Sequence, residues 1–511
     1  MAVSLAELCR GVPGEPFGDW ANATVGGISL DSRRVAPGDL FAALPGRHTD
    51  GAAYVPEALA RGAQALLLPA GTPPPPGVPG LTTAVPRRTL SQLAARFFGN
   101  PSERVRVFGV TGSNGKTTVV AMLAQILAAA GRPGGLWSTD RVDSGLRRFR
   151  PALTTPEAPD LQRFLHEVES AGMGDACIEV SSHGVVQDRV ADVTFTAGAI
   201  TSVTPDHLDF HQTYDAYLEA KRGFLRALAP SCVLAYNLDD PGAVRASAGM
   251  LARRISCGFG VDADIRATQV ESRAAGARCT VQISPWLAQL SPAFSSAPAR
   301  ADIAVPLPGR HNLTNAMLAM ALALATNVPL PRIQEALADF SPPARRLRIE
   351  RIGRRLVLDD VAMNQASFDA VFSTIAGLEL PQLVVVVALR GNRGPEVNAD
   401  IAARLVHWNR KLAFAPLIVT LSRRALSHYP LDYQVRPAEL TAFLTVLRDA
   451  GLPHHLHTEL DAAVADAAKG LREDGAMLLL GTFGMDGGLA LAARLLGAEQ
   501  EGPTYSPPSF D

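Results

Sequence analysis

The run Thr111-Gly-Ser-Asn-Gly-Lys-Thr-Thr118 has the composition of a phosphate cradle. A β-rich segment, Val105 to Val110, leads into it, and an apolar helix-forming run, Val119 to Ala130, leads out. Glycines let the backbone turn its N–H groups toward an anion, and the helix start behind them adds partial positive charge. Lys116 is placed to reach terminal phosphates, and Thr117 stands where a phosphate-loop hydroxyl meets Mg²⁺. The loop departs from the standard spacing, because only two residues separate Gly112 from Gly115. Further chemistry lies downstream. Ile178-Glu-Val-Ser-Ser-His-Gly184 puts Glu179 near the end of an expected strand, and Asp206-His-Leu-Asp-Phe-His211 packs two acids and two imidazoles into six residues. Open α/β sheets bind ligands at the carboxyl ends of their strands, so a carboxylate and an imidazole from two such ends would hold a divalent cation beside the phosphates. Lys221, taken alone, reads as a solvated lysine on a helix.

The elements that must position these groups alternate along the chain. At about 150 residues per domain, 511 residues suggest three domains. Composition and signal changes divide the chain into residues 1–102, 103–341 and 342–498, with a polar, proline-containing, flexible tail over 499–511. Thr72-Pro-Pro-Pro-Pro-Gly-Val-Pro-Gly80 must be a surface loop, since consecutive prolines continue neither a helix nor a central strand. Strand-like runs alternating with helical ones imply parallel α/β sheets throughout. A formal net charge of -1 offers no basic field for nucleic acid or anionic membranes. No run reaches the roughly 18 apolar residues needed to span a bilayer, and the N-terminus lacks the pattern of a signal peptide. Five scattered cysteines without metal spacing read as reduced thiols of a cytoplasmic protein.

These motifs together resemble the Mur ligase superfamily, and within it the MurE ligases that extend UDP-N-acetylmuramoyl-dipeptide in peptidoglycan synthesis. The shortened Gly-x-Asn-Gly-Lys-Thr loop, the stretch Ile178 to Phe224, Thr154-Thr-Pro-Glu157, Gln187-Asp-Arg189 and Asn237-Leu-Asp-Asp240 carry the likeness. Gly309-Arg-His-Asn-Leu-Thr-Asn315 is similar to the family's adenine-side motif, while Leu30-Asp-Ser-Arg33, Gly38-Asp-Leu-Phe41 and Gly46-Arg-His-Thr-Asp-Gly51 are similar to its UDP-binding domain. The resemblance implies three domains with a central P-loop-type ATPase, a Rossmann-like C-terminal domain, and ATP and Mg²⁺ as cofactors. It implies ATP contacts from Thr111, Gly112, Ser113, Asn114, Gly115, Lys116, Thr117, Thr118, Asn312, Arg346 and Asp360. Thr117 would serve one Mg²⁺, and Glu179 and His207 a second, supported by a carbamylated Lys221. Lys116, Glu179, His207 and Lys221 would form the catalytic set. Thr154, Thr155, Ser181, Gln187 and Arg189 would contact the nucleotide-peptide, and Ser32 with Arg47, His48 and Thr49 the uridine diphosphate. The implied activity is ATP-driven amide formation on a UDP-MurNAc-peptide by a monomeric enzyme of cell-wall synthesis, and so of cell shape and division.

The last third departs from that pattern. Where MurE-like chains carry Asp-Tyr-Ala-His-Thr-Pro-Asp, this one reads Asp360-Val-Ala-Met-Asn-Gln-Ala-Ser367, with Met363 in place of the histidine. Arg390-Gly-Asn-Arg-Gly394 keeps only Gly391 and Arg393 of a Gly-Gly-Asp-Arg-Asp motif, and Gly481-Thr-Phe-Gly-Met-Asp486 replaces Gly-Lys-Gly-His-Glu. Arg345-Arg-Leu-Arg348 replaces Gly-Arg-x-Glu, with Arg346 in the arginine's place. Three readings therefore stand: a MurE-like ligase using an unusual amine, a superfamily amide ligase acting on another acid, or a non-catalytic paralogue. The amine motif Asp-Asn-Pro-Arg aligns only with Ser422-Arg-Arg-Ala425. Without that arginine fork the far carboxylate of diaminopimelate has no bidentate partner. A buried polar group left unpaired costs about 1–3 kcal/mol, so neither diaminopimelate nor lysine should be the best amine. A kcat/KM for diaminopimelate equal to or above that of every other amine would contradict this expectation.

Overall fold

Apolar strand-like runs and amphipathic helices sort into three α/β units, each built on its own sheet. The computed structural model describes residues 2–46, 50–414, 416–427, 429 and 433–497. The UDP-type turn Arg47-His48-Thr49 and the tail 499–511 lie outside the described residues. The first sheet has five strands, in the order Glu15–Phe17, Gly80–Thr83, Ala65–Pro69, Asp39–Ala42, Gly27–Ser29. All its pairings are parallel except that of the edge strand Glu15–Phe17. The four prolines lie in the surface connection between Ala65–Pro69 and Gly80–Thr83, as their chemistry demands.

The second sheet carries the chemistry. Its eleven strands include a parallel run, Gly135–Trp137, Asp175–Glu179, Arg106–Thr111, Phe195–Ile200, Val233–Asn237 and Arg253–Gly258, in that spatial order. Two helices, Lys116–Ala129 and Arg310–Ala325, pack on it, and in the second every residue from Asn312 to Leu324 is buried. A helix apolar all round belongs inside a protein, which is why these two form the wall behind the phosphate loop. All five cysteines are free and buried.

The third sheet has six strands, in the order Arg348–Ile352, Arg355–Asp360, Ala476–Leu480, Leu383–Ala388, Leu417–Thr420, His454–His457, parallel except at the first pair. Near-continuous apolar runs such as Leu383-Val-Val-Val-Val-Ala388 suit strands covered on both faces. Arg345, at positive φ of 58°, ties this unit together. Its guanidinium pairs with Asp359 at 3.1 Å and Asp486 at 2.6 Å, and donates to the carbonyls of Thr482, at 2.8 Å, and Gly481. Burial raises the Asp359 pKa, and Arg345 pulls against that rise. Arg345→Met would remove the paired guanidinium from buried Asp359 and leave Asp486 only the longer Arg150 contact at 3.5 Å, at about 3–5 kcal/mol. Chemical denaturation of the variant should show a loss of that size, and a loss below about 1 kcal/mol would show that the cluster is not needed.

Candidate functional site

The phosphate-loop strand Arg106–Thr111 lies between Asp175–Glu179 and Phe195–Ile200, parallel to both. Register pairs Val110 with Glu179 and Thr111 with Ile200, so three strands end side by side. The three strand ends therefore deliver their groups to one place: the loop 112–115, the Glu179 carboxylate, and the segment reaching Asp206 and His207. Two glycines make the loop. Gly112 has φ of 143°, and a Cβ there would fall 1.9 Å from Thr201 Oγ1. Gly115 has φ of 90°, and its Cβ would fall 2.5 Å from Asn315 Oδ1. The neighbouring segment staples the loop. Ser113 N–H donates to Ser202 O at 2.7 Å, Ser113 Oγ meets Thr204 O and Tyr217 Oη at 3.1 and 2.9 Å, and Thr201 Oγ1 donates to Asn114 O. Thr117 and Thr118 are buried in the first turn of the helix behind it.

Two lysines converge on this loop. Lys116 Nζ donates to Gly112 O at 2.9 Å and Ser113 O at 3.2 Å, while Lys221 Nζ, 1% exposed, donates to Gly112 O at 2.8 Å. The reading of Lys221 as a solvated helix lysine is thus corrected, since the helix Tyr214–Arg226 turns this position inward, over the Tyr217 ring at 4.4 Å. Burial, then repulsion from Lys116, holds the Lys221 pKa well below the ordinary lysine value, against an opposing pull from Asp206. Burial also lowers the Lys116 pKa, with Glu179 and Asp206 opposing.

Glu179 is 1% exposed. It accepts from the amide and hydroxyl of Thr139 at 2.6 and 3.2 Å, both neutral donors. A buried carboxylate with neutral partners is a natural cation ligand, because burying a charge is costly unless it is paired or coordinated. Around it, Thr139 Oγ1 lies 3.1 Å from Thr154 Oγ1, and Thr155 Oγ1 donates to Glu179 O at 2.8 Å. Ser181 N–H donates to Thr155 Oγ1 at 2.9 Å, and Arg189 donates to Thr155 O at 2.8 Å and to Gln187. Thr154, Thr155, Ser181, Gln187 and Arg189 thus form one hydrogen-bonded patch beside Glu179. His207 adopts φ of 52° next to Asp206, its ring 4.9 Å from that of His183. The His207 side chain is 45% exposed, and desolvation by the surrounding segments directs its pKa downward, toward the neutral imidazole. Although burial raises its pKa, His207, Arg393, Asn364 and Lys116 together hold the Asp206 carboxyl below its ordinary value.

The third unit closes over this centre. Arg346 donates to Thr117 Oγ1 at 3.0 Å. Asn364 donates to Asp206 at 2.9 Å and exchanges hydrogen bonds with Asn114 at 3.1 and 3.2 Å. Arg393 donates to Met363 O at 3.0 Å and lies 3.9 Å from Asp206. Asp360 ends its strand by accepting the Leu347 N–H at 2.8 Å, and burial pushes its pKa up to about 6. Asn312 sits in the first turn of Arg310–Ala325, donating to Pro308 O at 2.8 Å. Ser32 lies apart in the first unit, bonded to Glu57 at 2.7 Å. Sequence reasoning assigned no role to Thr139, Tyr217 or Asn364. Thr139 carries no signal at all, whereas Asn364, immediately after Met363 in the departed motif, stands where a replaced contact could be sought.

Profiles of two domains match the sequence: the Mur ligase middle domain over residues 110–323 and the Mur ligase family catalytic domain over residues 24–98. A UDP-N-acetylmuramyl-tripeptide synthetase of Roseiflexus sp. is 36% identical over 393 residues, covering 73% of this chain and 74% of that protein. The chain belongs to the Mur ligase family. A Geobacillus kaustophilus UDP-N-acetylmuramoyl-L-alanyl-D-glutamate--2,6-diaminopimelate ligase is 31% identical, over 79% of this chain and 81% of that one. Among solved structures, MurF from Acinetobacter baumannii superposes with a TM-score of 0.67 at 21% identity, covering 97% and 99% of the two chains. That likeness extends the Mur ligase three-domain fold through the sequence-divergent last third. No helix of the described residues is long and apolar enough to cross a membrane.

The site also carries a pH dependence. His211 is buried against Ser182 Oγ at 2.9 Å, and burial pushes its pKa down to about 4, with His183 and Lys221 adding repulsion. Its folded pKa lies below the unfolded value of about 6.5, so the unfolded chain binds the proton first as pH falls. The stabilisation is complete above about pH 6.5 and fades toward pH 4. Between pH 7 and pH 5 the Tm of the native protein should fall by about several degrees more than that of His211→Asn. Equal falls would show that His211 does not carry this dependence.

Proposed function

We propose that this Mur ligase is an ATP-dependent amide ligase that joins an amino acid or amine to a UDP-MurNAc-peptide in peptidoglycan precursor synthesis. The observation that carries the reading is the alignment of three strand ends, which brings Lys116, Glu179, His207 and Lys221 around one loop beneath Arg346 and Asn364. In this proposal Thr111 to Thr118, with Asn312, Arg346 and Asp360, bind ATP. Thr154, Thr155, Ser181, Gln187 and Arg189 bind the nucleotide-peptide near its reacting carboxylate, and Ser32 with Arg47, His48 and Thr49 binds the uridine diphosphate. Thr117, Glu179, His207 and a carbamylated Lys221 would hold Mg²⁺, whose charge offsets repulsion between ATP and the incoming carboxylate. Both the oxygen-rich donor set and the neutral imidazole fit a divalent cation. The depressed Lys221 pKa favours the neutral amine that reacts with CO₂.

The chemistry then balances simply. A carboxylate oxygen of the acid attacks the γ-phosphorus of ATP, and the bond to ADP breaks with its electron pair leaving on ADP. The amine nitrogen adds to the acyl carbon, the carbon–oxygen bond breaks, phosphate leaves, and nitrogen gives up a proton. For the first step the protein chiefly positions groups and neutralises charge. Asn364 and Arg393 hold the third unit onto Asp206, so the amine arrives only when that unit is closed. One chain supplies all these groups, so the proposed working unit is the monomer, acting in the cytoplasm where ATP and UDP-linked precursors are available.

Two substitutions test the reading. Lys116→Ala should abolish ADP release in the presence of UDP-MurNAc-dipeptide, amine, ATP and Mg²⁺, because the transferring phosphate loses its cation. Full turnover by that variant would remove the phosphate-loop assignment. Lys221→Ala should also be inactive, and short carboxylates should restore part of the activity by supplying the missing anion. Near-native activity without any added carboxylate would rule out the carbamate.

A further inference from the structure

The edge strand His454–His457 of the third sheet brings two imidazoles to one carboxylate of the helix that follows it, Leu460–Gly470. Parallel register sets their direction. His455 pairs with Ile418 and His457 with Thr420, and Ile418 packs in one apolar cluster with Ala463, Val464 and Ala467 of the helix. Side chains two residues apart share a face of a strand, so His455 and His457 lie on the face that the helix covers. Asp466 meets them there. His455 Nδ1 lies 2.7 Å and His457 Nε2 2.8 Å from the same oxygen, Asp466 Oδ2. The three candidate ligand atoms lie within 4.8 Å of one another, and no other such group of histidine, cysteine, aspartate or glutamate occurs among the described residues.

We propose that His455, His457 and Asp466 form a binding site for a divalent transition-metal ion of the Zn²⁺ class, which fastens the edge strand to the helix behind it. Tetrahedral Zn²⁺ with bonds of about 2.0–2.2 Å holds its ligand atoms about 3.4 Å apart. That separation lies between the 2.7 Å contact and the 4.8 Å limit of this group, so small side-chain rotations reach it. His455 is exposed and the other two are half-buried, which leaves the fourth position to water. Two imidazole nitrogens suit Zn²⁺ and its neighbours, whereas Mg²⁺ takes oxygen donors in an octahedron. The site therefore differs in chemistry from the Mg²⁺ centre proposed at the phosphate loop. It also has a mechanical role. An edge strand is hydrogen-bonded along one side only, and the turn Thr458-Glu459 is its covalent link to the helix. The ion adds a second tie across that turn.

The test uses full-length protein in excess Mg²⁺, titrated with Zn²⁺ by calorimetry and with Co²⁺ by visible absorption. One equivalent of Zn²⁺ should bind with a Kd of about 10 µM or below, and Co²⁺ should give the intense bands of four-coordinate geometry. Asp466→Asn keeps an acceptor oxygen for the imidazoles but removes the anionic ligand. It should weaken that equivalent at least about tenfold and abolish the Co²⁺ bands, as should His457→Ala. Zn²⁺ should also slow amide exchange across residues 454–470 of the native protein, a readout that needs no variant. Three results would each overturn the site, leaving two histidines that only hydrogen-bond Asp466. They are native binding weaker than about 10 µM, affinity and bands unchanged in both variants, and exchange across the strand and helix unaffected by Zn²⁺.

Discussion

Everything in the candidate site depends on a register: Val110 opposite Glu179 and Thr111 opposite Ile200. A parallel sheet fixes that register through backbone hydrogen bonds and through apolar residues buried on both faces. Moving the Asp175–Glu179 strand by one residue would send Glu179 to the other face and its apolar neighbours with it. The site is therefore held by the same packing that stabilises the central unit. The loop needs its glycines for the same reason, since Thr201 and Asn315 already fill the space a Cβ would take.

Charge accounts for the rest of the arrangement. Two lysines share the Gly112 carbonyl, and a carboxylate lies buried against neutral donors nearby. Neither feature is a comfortable resting state for a protein interior, where unpaired charge is costly. In the proposed function, polyphosphate and a divalent cation would supply the missing opposite charges. Arg346, Asn364 and Arg393 extend this logic across the interface, because each bonds or faces a group of the central unit that is also positioned for ligand.

Much of this was legible in the chain. The phosphate loop, Glu179 and the Asp206–His211 cluster carry residue types and spacing that few other chemistries require, and the β-then-α alternation gives the parallel sheets. Lys221 shows where such reading stops. Its inward orientation depends on how the helix Tyr214–Arg226 rotates against the loop, which the family resemblance supplied and local spacing did not. Thr139 was invisible because its contact with Glu179 joins strand ends 40 residues apart. Asn364 spans 250 residues to reach Asn114, through a closure that no local pattern encodes. The altered motifs of the last third mark where its sequence leaves the family pattern, while the contacts that Asn364 and Arg393 make with Asp206 appear only in the folded chain.

The central claim is that this centre activates a carboxylate by phosphoryl transfer. The direct measurement is oxygen transfer. With both oxygens of the reacting carboxylate of UDP-MurNAc-dipeptide labelled with ¹⁸O and an amino acid that the enzyme accepts as amine, mass spectrometry of the released phosphate decides the matter. One ¹⁸O should appear in phosphate for each amide formed, because the acid's oxygen bridges to phosphorus and leaves with it. Amide product accompanied by unlabelled phosphate would contradict the account.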